Sequence, residues 1–293
     1  MNIKIWIKET RPQFLVLSPV LVLLGTAIAY NKGHFSWIRF TFTTVGLLLA
    51  HISVNVLNDY FDYKNGIDAI TVPTSFSGGS GILTQGLLNP KSVYYFGLAA
   101  LGAAFFLGVY LALISGWQLF VMIITGGLVI YFYTSFLTKW LIGELWAGLG
   151  LGMLPVIGTY FIQTGSFNLE ILIISLIPGF LTANLLLLNE FPDFEADRKG
   201  GRFHLVIALG RKRAAYLYAG IMFLTYFFII FAVISGIMPL LNLISLVTAI
   251  FAIKAILVTF RNYDNMEKLL PALKLNVITI LGIDILLAIG FFL

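Results

Sequence analysis

Apolar residues in this chain run in blocks of about 20, the length a helix needs to cross a bilayer, and such blocks recur from one end to the other. Bounded by polar breaks, they lie at about 13–30, 36–57, 93–114, 117–137, 142–162, 171–189, 213–235, 238–260 and 272–293. A soluble fold cannot hide that much apolar surface. Only 11% of the residues are charged, against about 25% in a soluble domain. The expectation is an all-α, polytopic membrane protein: one domain over 1–293 with nine transmembrane helices. No small-residue cleavage site follows a short apolar core near the N-terminus, so no removable signal peptide is expected. Cysteine is absent, which leaves neither disulfides nor thiolate ligands.

Charge sets the orientation. Of the 18 Lys and Arg, 15 fall before the first span or in the even-numbered loops, and only Lys32 and Arg39 fall in the odd ones; Lys254 lies inside a span. The positive-inside rule then puts the N-terminus and the two long loops in the cytoplasm. A prokaryotic plasma membrane is the expected location. The net charge of +5 reflects this topology, and no nucleic-acid partner is expected.

Those two long loops, about 58–92 and 190–212, each begin where a span ends in acid. "NDYFDYKNGID" starts at Asn58 and "NEFPDFEAD" at Asn189, 131 residues later. Asn58 lies over Asn189, Asp59 over Glu190 and Asp62 over Asp193, which reads as an internal duplication. Carboxylates at the edge of hydrocarbon are costly and mark function. Residues four apart share a helix face, so Asn58 points with Asp62, and Asn189 with Asp193 and Asp197. If the two helices face each other, these carboxylates and amides converge. Oxygen-only donors suit Mg²⁺ or Mn²⁺, and Mg²⁺ completes its shell with substrate phosphates. Lys199 and Arg202 follow the second motif, and Lys139 follows the fourth block on the same side; each can bind phosphate oxygens. Divalent metal, diphosphate and an apolar bundle behind them read as a site for a polyprenyl diphosphate.

The paired motifs resemble those of the UbiA superfamily of intramembrane prenyltransferases. "YTSFLTK" after the fourth block and "RP" before the first agree with it. The first motif departs from the pattern N-D-x-x-D-x-x-x-D: Gly66 stands where the last Asp belongs, and Asp68 comes two residues later. In this form, and in "GELWAGLGLGMLPVIGTYFIQTG", the chain is similar to the dihydroxynaphthoate branch of menaquinone synthesis. "FSGGSGILTQG" resembles some archaeal members.

The resemblance implies nine helices around a central cavity open to lipid. It implies Mg²⁺ on Asp62 and Asp193, with Asp68 and Asp197 helping, and a diphosphate bound by Asn58, Asn189, Lys139, Lys199 and Arg202. Tyr133 would shield an allylic cation with its π face, and Asp68 or Asp62 would accept a ring proton. The partners implied are a prenyl diphosphate, an aromatic acceptor and the bilayer, with no protein partner. The acceptor stays open among dihydroxynaphthoate, hydroxybenzoate, homogentisate and a glycerol-phosphate lipid.

Other features have plainer readings. His51 is expected to bond a neighbouring helix, and His34 and His204 to be structural. Asp59 and Glu190 either support the metal residues or are solvated. "FSGGSG" either cradles an anion with backbone N–H groups or forms a lid. Asp284, deep in the last block, is a functional candidate or a bundle hydrogen bonder. A transporter is the main alternative from another class, and a CDP-alcohol phosphotransferase a second. The acids at span ends on one side disfavour the former, and the absence of the latter's Ala-Arg motif disfavours it.

Overall fold

The computed structural model describes residues 2–71, 74, 77–133 and 143–293. All regular structure among them is helical. A short helix α1 (Ile3–Glu9) precedes α2 (Pro12–Asn31), α3 (Trp37–Lys64), α4 (Pro90–Ser115) and α5 (Gln118–Phe132). Then follow α6 (Gly143–Thr164), α7 (Leu169–Lys199), the short α8 (Leu205–Leu209), α9 (Arg211–Ile234), α10 (Leu240–Asn262) and α11 (Met266–Phe292). Among the described residues, 8 helices are long and apolar enough to cross a membrane. The exception among the nine expected spans is α5, apolar but 15 residues long; the rest of that expected span, to about 137, lies outside the described residues.

Local sequence starts and stops these helices. Asn89 accepts the Lys91 N–H at 2.9 Å ahead of Pro90, and Asn168 accepts the Ile171 N–H at 2.9 Å. Both cap donors that a helix N-terminus leaves orphaned. The helices α2, α6 and α7 are the most enclosed, whereas α3, α4, α9 and α10 turn much of their apolar surface outward. Phe106, Phe223, Ile234 and Leu240 are exposed, which suits contact with lipid tails. Asp284 is fully buried in α11, and neither carboxylate oxygen meets a hydrogen-bond partner.

The crossing of α6 and α7 decides how the acid-bearing end is built. Within α6 the chain widens into a π turn at Leu149–Met153, a form often found near functional sites. Gly148 and Gly152 lie against Pro178 and Gly179 of α7; a Cβ on Gly152 would stand 2.5 Å from the Pro178 carbonyl oxygen. Small residues are what let two membrane helices approach so closely. Gly152→Ala is therefore expected to cost about 1–3 kcal/mol through overpacking, seen as a fall of several degrees in the melting midpoint in detergent. Gly220→Ala, where an added Cβ meets nothing within 4 Å, serves as the control and leaves the midpoint in place.

Candidate active site

The acid motifs turn out to be helical. α3 continues to Lys64 and carries Asn58, Asp59 and Asp62 in its last two turns; α7 continues to Lys199 and carries Asn189, Glu190, Asp193 and Asp197. The loops begin only beyond, at 65 and 200. Gly66, at φ 75°, makes the left-handed turn that a side chain resists. That turn lets the Ile67 N–H reach back to the Asp62 carbonyl at 3.0 Å, bringing Asp68 back over the helix end. The displaced aspartate of the first motif thus has a backbone cause.

Both helix ends open into one cavity of about 910 Å³. Asn58, Asp62, Asp68, Asn189, Asp193 and Asp197 line one end, with Arg202 and Tyr133. The remainder is mostly apolar and runs along α3 as far as Thr43. From Asp62 to Thr43 is about 28 Å of helix at 1.5 Å per residue, close to the depth of a bilayer's hydrocarbon. Phe105 and Phe106 of α4 and Ile124 and Leu128 of α5 line the cavity and are themselves exposed.

Arg202 ties the two motifs together. Its guanidinium donates to Asp197 Oδ1 at 3.0 Å and makes a second, short bond to Asp62 Oδ1. Burial alone would lower its pKa, but the two carboxylates overcome that and raise it. Arg202 is a buried cation shared by the two motifs at this end of the cavity. The donor set fits a hard divalent ion as well: Asn189 Oδ1 and Asp193 Oδ1 are buried without a hydrogen-bond partner, and every nearby donor on the two motifs is an oxygen.

Within "FSGGSG", whose Phe76 lies outside the described residues, backbone N–H groups hold two of the protein's own carboxylates. The Gly78 N–H donates to Asp193 Oδ2 at 3.0 Å, and the Ser80 N–H to Asp59 Oδ2 at 2.8 Å. A Cβ on Gly79 would meet Asp68 Oδ2 at 2.7 Å, so a larger residue there would push that carboxylate aside. Ser80 Oγ donates in turn to Glu9 Oε2 at 2.8 Å, which docks the end of α1 under the site. Arg11, two residues on, lines the cavity and is the non-glycine residue with positive φ, 54°, among those described; such strain gathers at functional sites.

Two carboxyls outside the spans are pushed upward. Burial, then the charges of Asp62 and Asp59, raise Asp68 to about 7. Burial, then Asp59, raise Glu9 from 4.5 to about 8 against the Ser80 hydrogen bond. A carboxyl whose pKa is higher folded than unfolded contributes stability that is complete below the unfolded value and lost as pH rises through the folded one. The metal-free protein is thus expected to melt at a lower temperature at pH 8.5 than at pH 5.5. The part of the loss above about pH 7, beyond Asp68, is expected to disappear in Glu9→Gln. A pH series of melting curves on both proteins checks it.

A model of the UbiA prenyltransferase family matches residues 16–278, a stretch that holds both acidic helix ends. This chain belongs to the UbiA prenyltransferase family. It is 34% identical over 230 residues, 78% of this chain and 73% of the relative, to the 1,4-dihydroxy-2-naphthoate octaprenyltransferase of Bacillus subtilis (strain 168). Its fold matches that of a UbiA homologue from Aeropyrum pernix K1 with TM-score 0.75 at 16% identity, over 95% of this chain and 96% of that one. It also matches a UbiA homologue from Archaeoglobus fulgidus solved with DMAPP and Mg²⁺, with TM-score 0.67 at 14% identity, over 96% and 98% of the two chains. The transporter and phosphotransferase alternatives fall with the family.

Not every expected residue meets this UbiA cavity in the same way. Lys199 is exposed and does not line it, and Lys139 lies outside the described residues. His51 bonds Ser18 of α2 at 2.8 Å, the plain reading. His204 departs from the structural role expected of it: it lines the cavity with Nδ1 3.4 Å from Glu190 and Nε2 3.3 Å from Asp197. Glu190 and Asp59 are buried, not solvated. Glu9 has no place in the sequence reading, and Arg11 and Glu144 enter it only inside "RP" and "GELWAGLGLGMLPVIGTYFIQTG", with no site role. A carboxylate opening a span on the motif side was the available signal for Glu144.

Proposed function

We propose that this UbiA-family protein transfers a polyprenyl group from its diphosphate to 1,4-dihydroxy-2-naphthoate. The observation that carries the chemistry is the cavity itself: two acidic helix ends meet at one pole, and an apolar channel of bilayer depth leads away from it. The Bacillus relative supports the choice of acceptor. In this reading nine helices span a prokaryotic plasma membrane. The N-terminus and the acidic pole face the cytoplasm, in line with the distribution of Lys and Arg.

Asp62, Asp68, Asp193 and Asp197 are assigned to Mg²⁺, which when bound neutralises the leaving diphosphate. The chain's own groups do the rest. Asn58 and Asn189 orient the diphosphate, and Arg202 and Lys139 stabilise the charge that gathers on it as the allylic C–O bond breaks. The apolar wall keeps water from the allylic cation, and Tyr133 faces it from the end of α5. The ring attacks through its carboxylated carbon. The electron pair of the ring–carboxyl bond restores the aromatic system as carbon dioxide leaves, so on this acceptor no carboxylate has to take a ring proton.

Purified protein in detergent, supplied with Mg²⁺, geranylgeranyl diphosphate and each candidate acceptor, tests the reading. Product with dihydroxynaphthoate, one carbon dioxide per turnover and loss of both with EDTA are expected. Transfer only to hydroxybenzoate, homogentisate or a glycerol-phosphate lipid would sink the acceptor assignment.

A further inference from the structure

Behind Asp197 lies a second cluster that the prenyl-transfer reading does not use. Glu144 near the start of α6, Glu190 on α7 and His204 just ahead of α8 each offer a ligand atom, and these atoms lie within 4.8 Å of one another. The glycine crossing of α6 and α7 sets Glu144 across from Glu190, and Glu144 Oε1 accepts the Leu205 N–H at 2.8 Å, which draws His204 in. Their relative exposures are 3%, 9% and 4%. Glu144 Oε2, Glu190 Oε2 and both ring nitrogens of His204 have no hydrogen-bond partner. Polar atoms so buried and so close need a cation or a proton between them.

The spacing favours a cation. Ligands 2.0–2.1 Å from a tetrahedral ion stand roughly 3.4 Å apart, and Glu190 Oε2 stands 3.4 Å from His204 Nδ1. The other ring nitrogen faces Asp197 Oδ2 at 3.3 Å. Metal-bound histidines are typically oriented in this way, with a carboxylate on the second nitrogen. One imidazole and two carboxylates suit Zn²⁺ or a similar transition ion better than Mg²⁺. We infer that Glu144, Glu190 and His204 form a divalent transition-metal site of their own, separate from the Asp-rich pole and joined to it through the His204–Asp197 contact. Glu190 and His204 also line the cavity, so the ion's fourth position opens toward it. Its role is to neutralise two buried carboxylates and to hold His204, and through it Asp197, in place.

Co²⁺ binding to the full-length, tag-free protein in detergent tests this, with millimolar Mg²⁺ present to fill the oxygen-only pole. Retention of one Co²⁺ per chain, with the strong visible bands of a four-coordinate ion, is expected. Glu144→Gln and His204→Gln should each weaken retention at least ~10-fold, while Asp62→Asn leaves it in place. No Co²⁺ retained by the wild type against Mg²⁺ would overturn the site. So would retention lost in Asp62→Asn but kept in Glu144→Gln. Should the variants fold poorly, pulsed EPR of the Mn²⁺-loaded wild type decides: a coupling from coordinated imidazole nitrogen supports the site, and its absence removes it. Neither readout depends on prenyl transfer, so each reading can fail without the other.

Discussion

Asp62→Asn and Asp193→Asn are each expected to lower kcat/KM for prenyl transfer by about a thousandfold or more. The substitution keeps the shape of the side chain and removes its charge. Metal that neutralises a leaving group is worth several kcal/mol, and about 4 kcal/mol is a factor of a thousand in rate. The two positions are not equivalent in their surroundings. Asp62 holds the Arg202 guanidinium, whereas Asp193 is held by the Gly78 N–H through one oxygen and leaves the other without a partner. Asp193→Asn should therefore affect Mg²⁺ affinity with little loss of stability, and Asp62→Asn should affect both. Asp59→Asn is the informative contrast. Its carboxylate is already taken by the Ser80 N–H, so its loss should loosen the 77–80 segment and reduce turnover far less. Steady-state transfer of radiolabelled prenyl groups, with Mg²⁺ titrated for each variant, separates these effects. If both Asn variants at 62 and 193 stay within tenfold of wild type, these aspartates do not hold the catalytic metal.

What could be read from the sequence followed the range of the interactions. Asn58 with Asp62, and Asn189 with Asp193 and Asp197, share faces because both helices simply run on past the apolar blocks, and i,i+4 geometry is local. Arg202 was legible because it closes a five-residue return to Asp197. Gly66 and Asp68 looked like a departure from the motif, and the turn at Gly66 explains it. By contrast, Glu144 reaches Leu205 across 61 residues of chain, and Glu9 reaches Ser80 across 71. Neither contact has a periodicity to betray it. Each depends on a helix crossing or a loop path set elsewhere, by Gly148, Gly152 and Gly179 in one case and by the 77–80 segment in the other. Lys199 shows the converse error. Closeness to Asp197 in sequence placed it at the site, but two residues of helix rotate a side chain by roughly 200°, and it is exposed.

Arg202→Ala is expected to produce two opposite effects. The guanidinium now compensates Asp62 and Asp197, one carboxylate from each motif, in a largely buried place. Removing one partner of a buried ion pair leaves uncompensated charge, at a cost of about 3–5 kcal/mol, so the metal-free variant should melt well below wild type. Mg²⁺ held by Asp62 and Asp197 would compete with this guanidinium in the wild type and not in the variant. The rise in melting midpoint on adding Mg²⁺ should thus be larger in Arg202→Ala, since a ligand stabilises in proportion to the logarithm of its concentration over its dissociation constant. Prenyl transfer should nonetheless fall, because the same guanidinium is the group proposed to stabilise the departing diphosphate. Arg202→Lys should sit between the two: a single ammonium cannot serve both carboxylates with the forked geometry of arginine. Melting curves with and without Mg²⁺ on the three proteins measure all of this. A metal-free Arg202→Ala that melts with wild type would show that Asp62 and Asp197 do not need their cation, and the metal reading of this pole would lose its electrostatic basis.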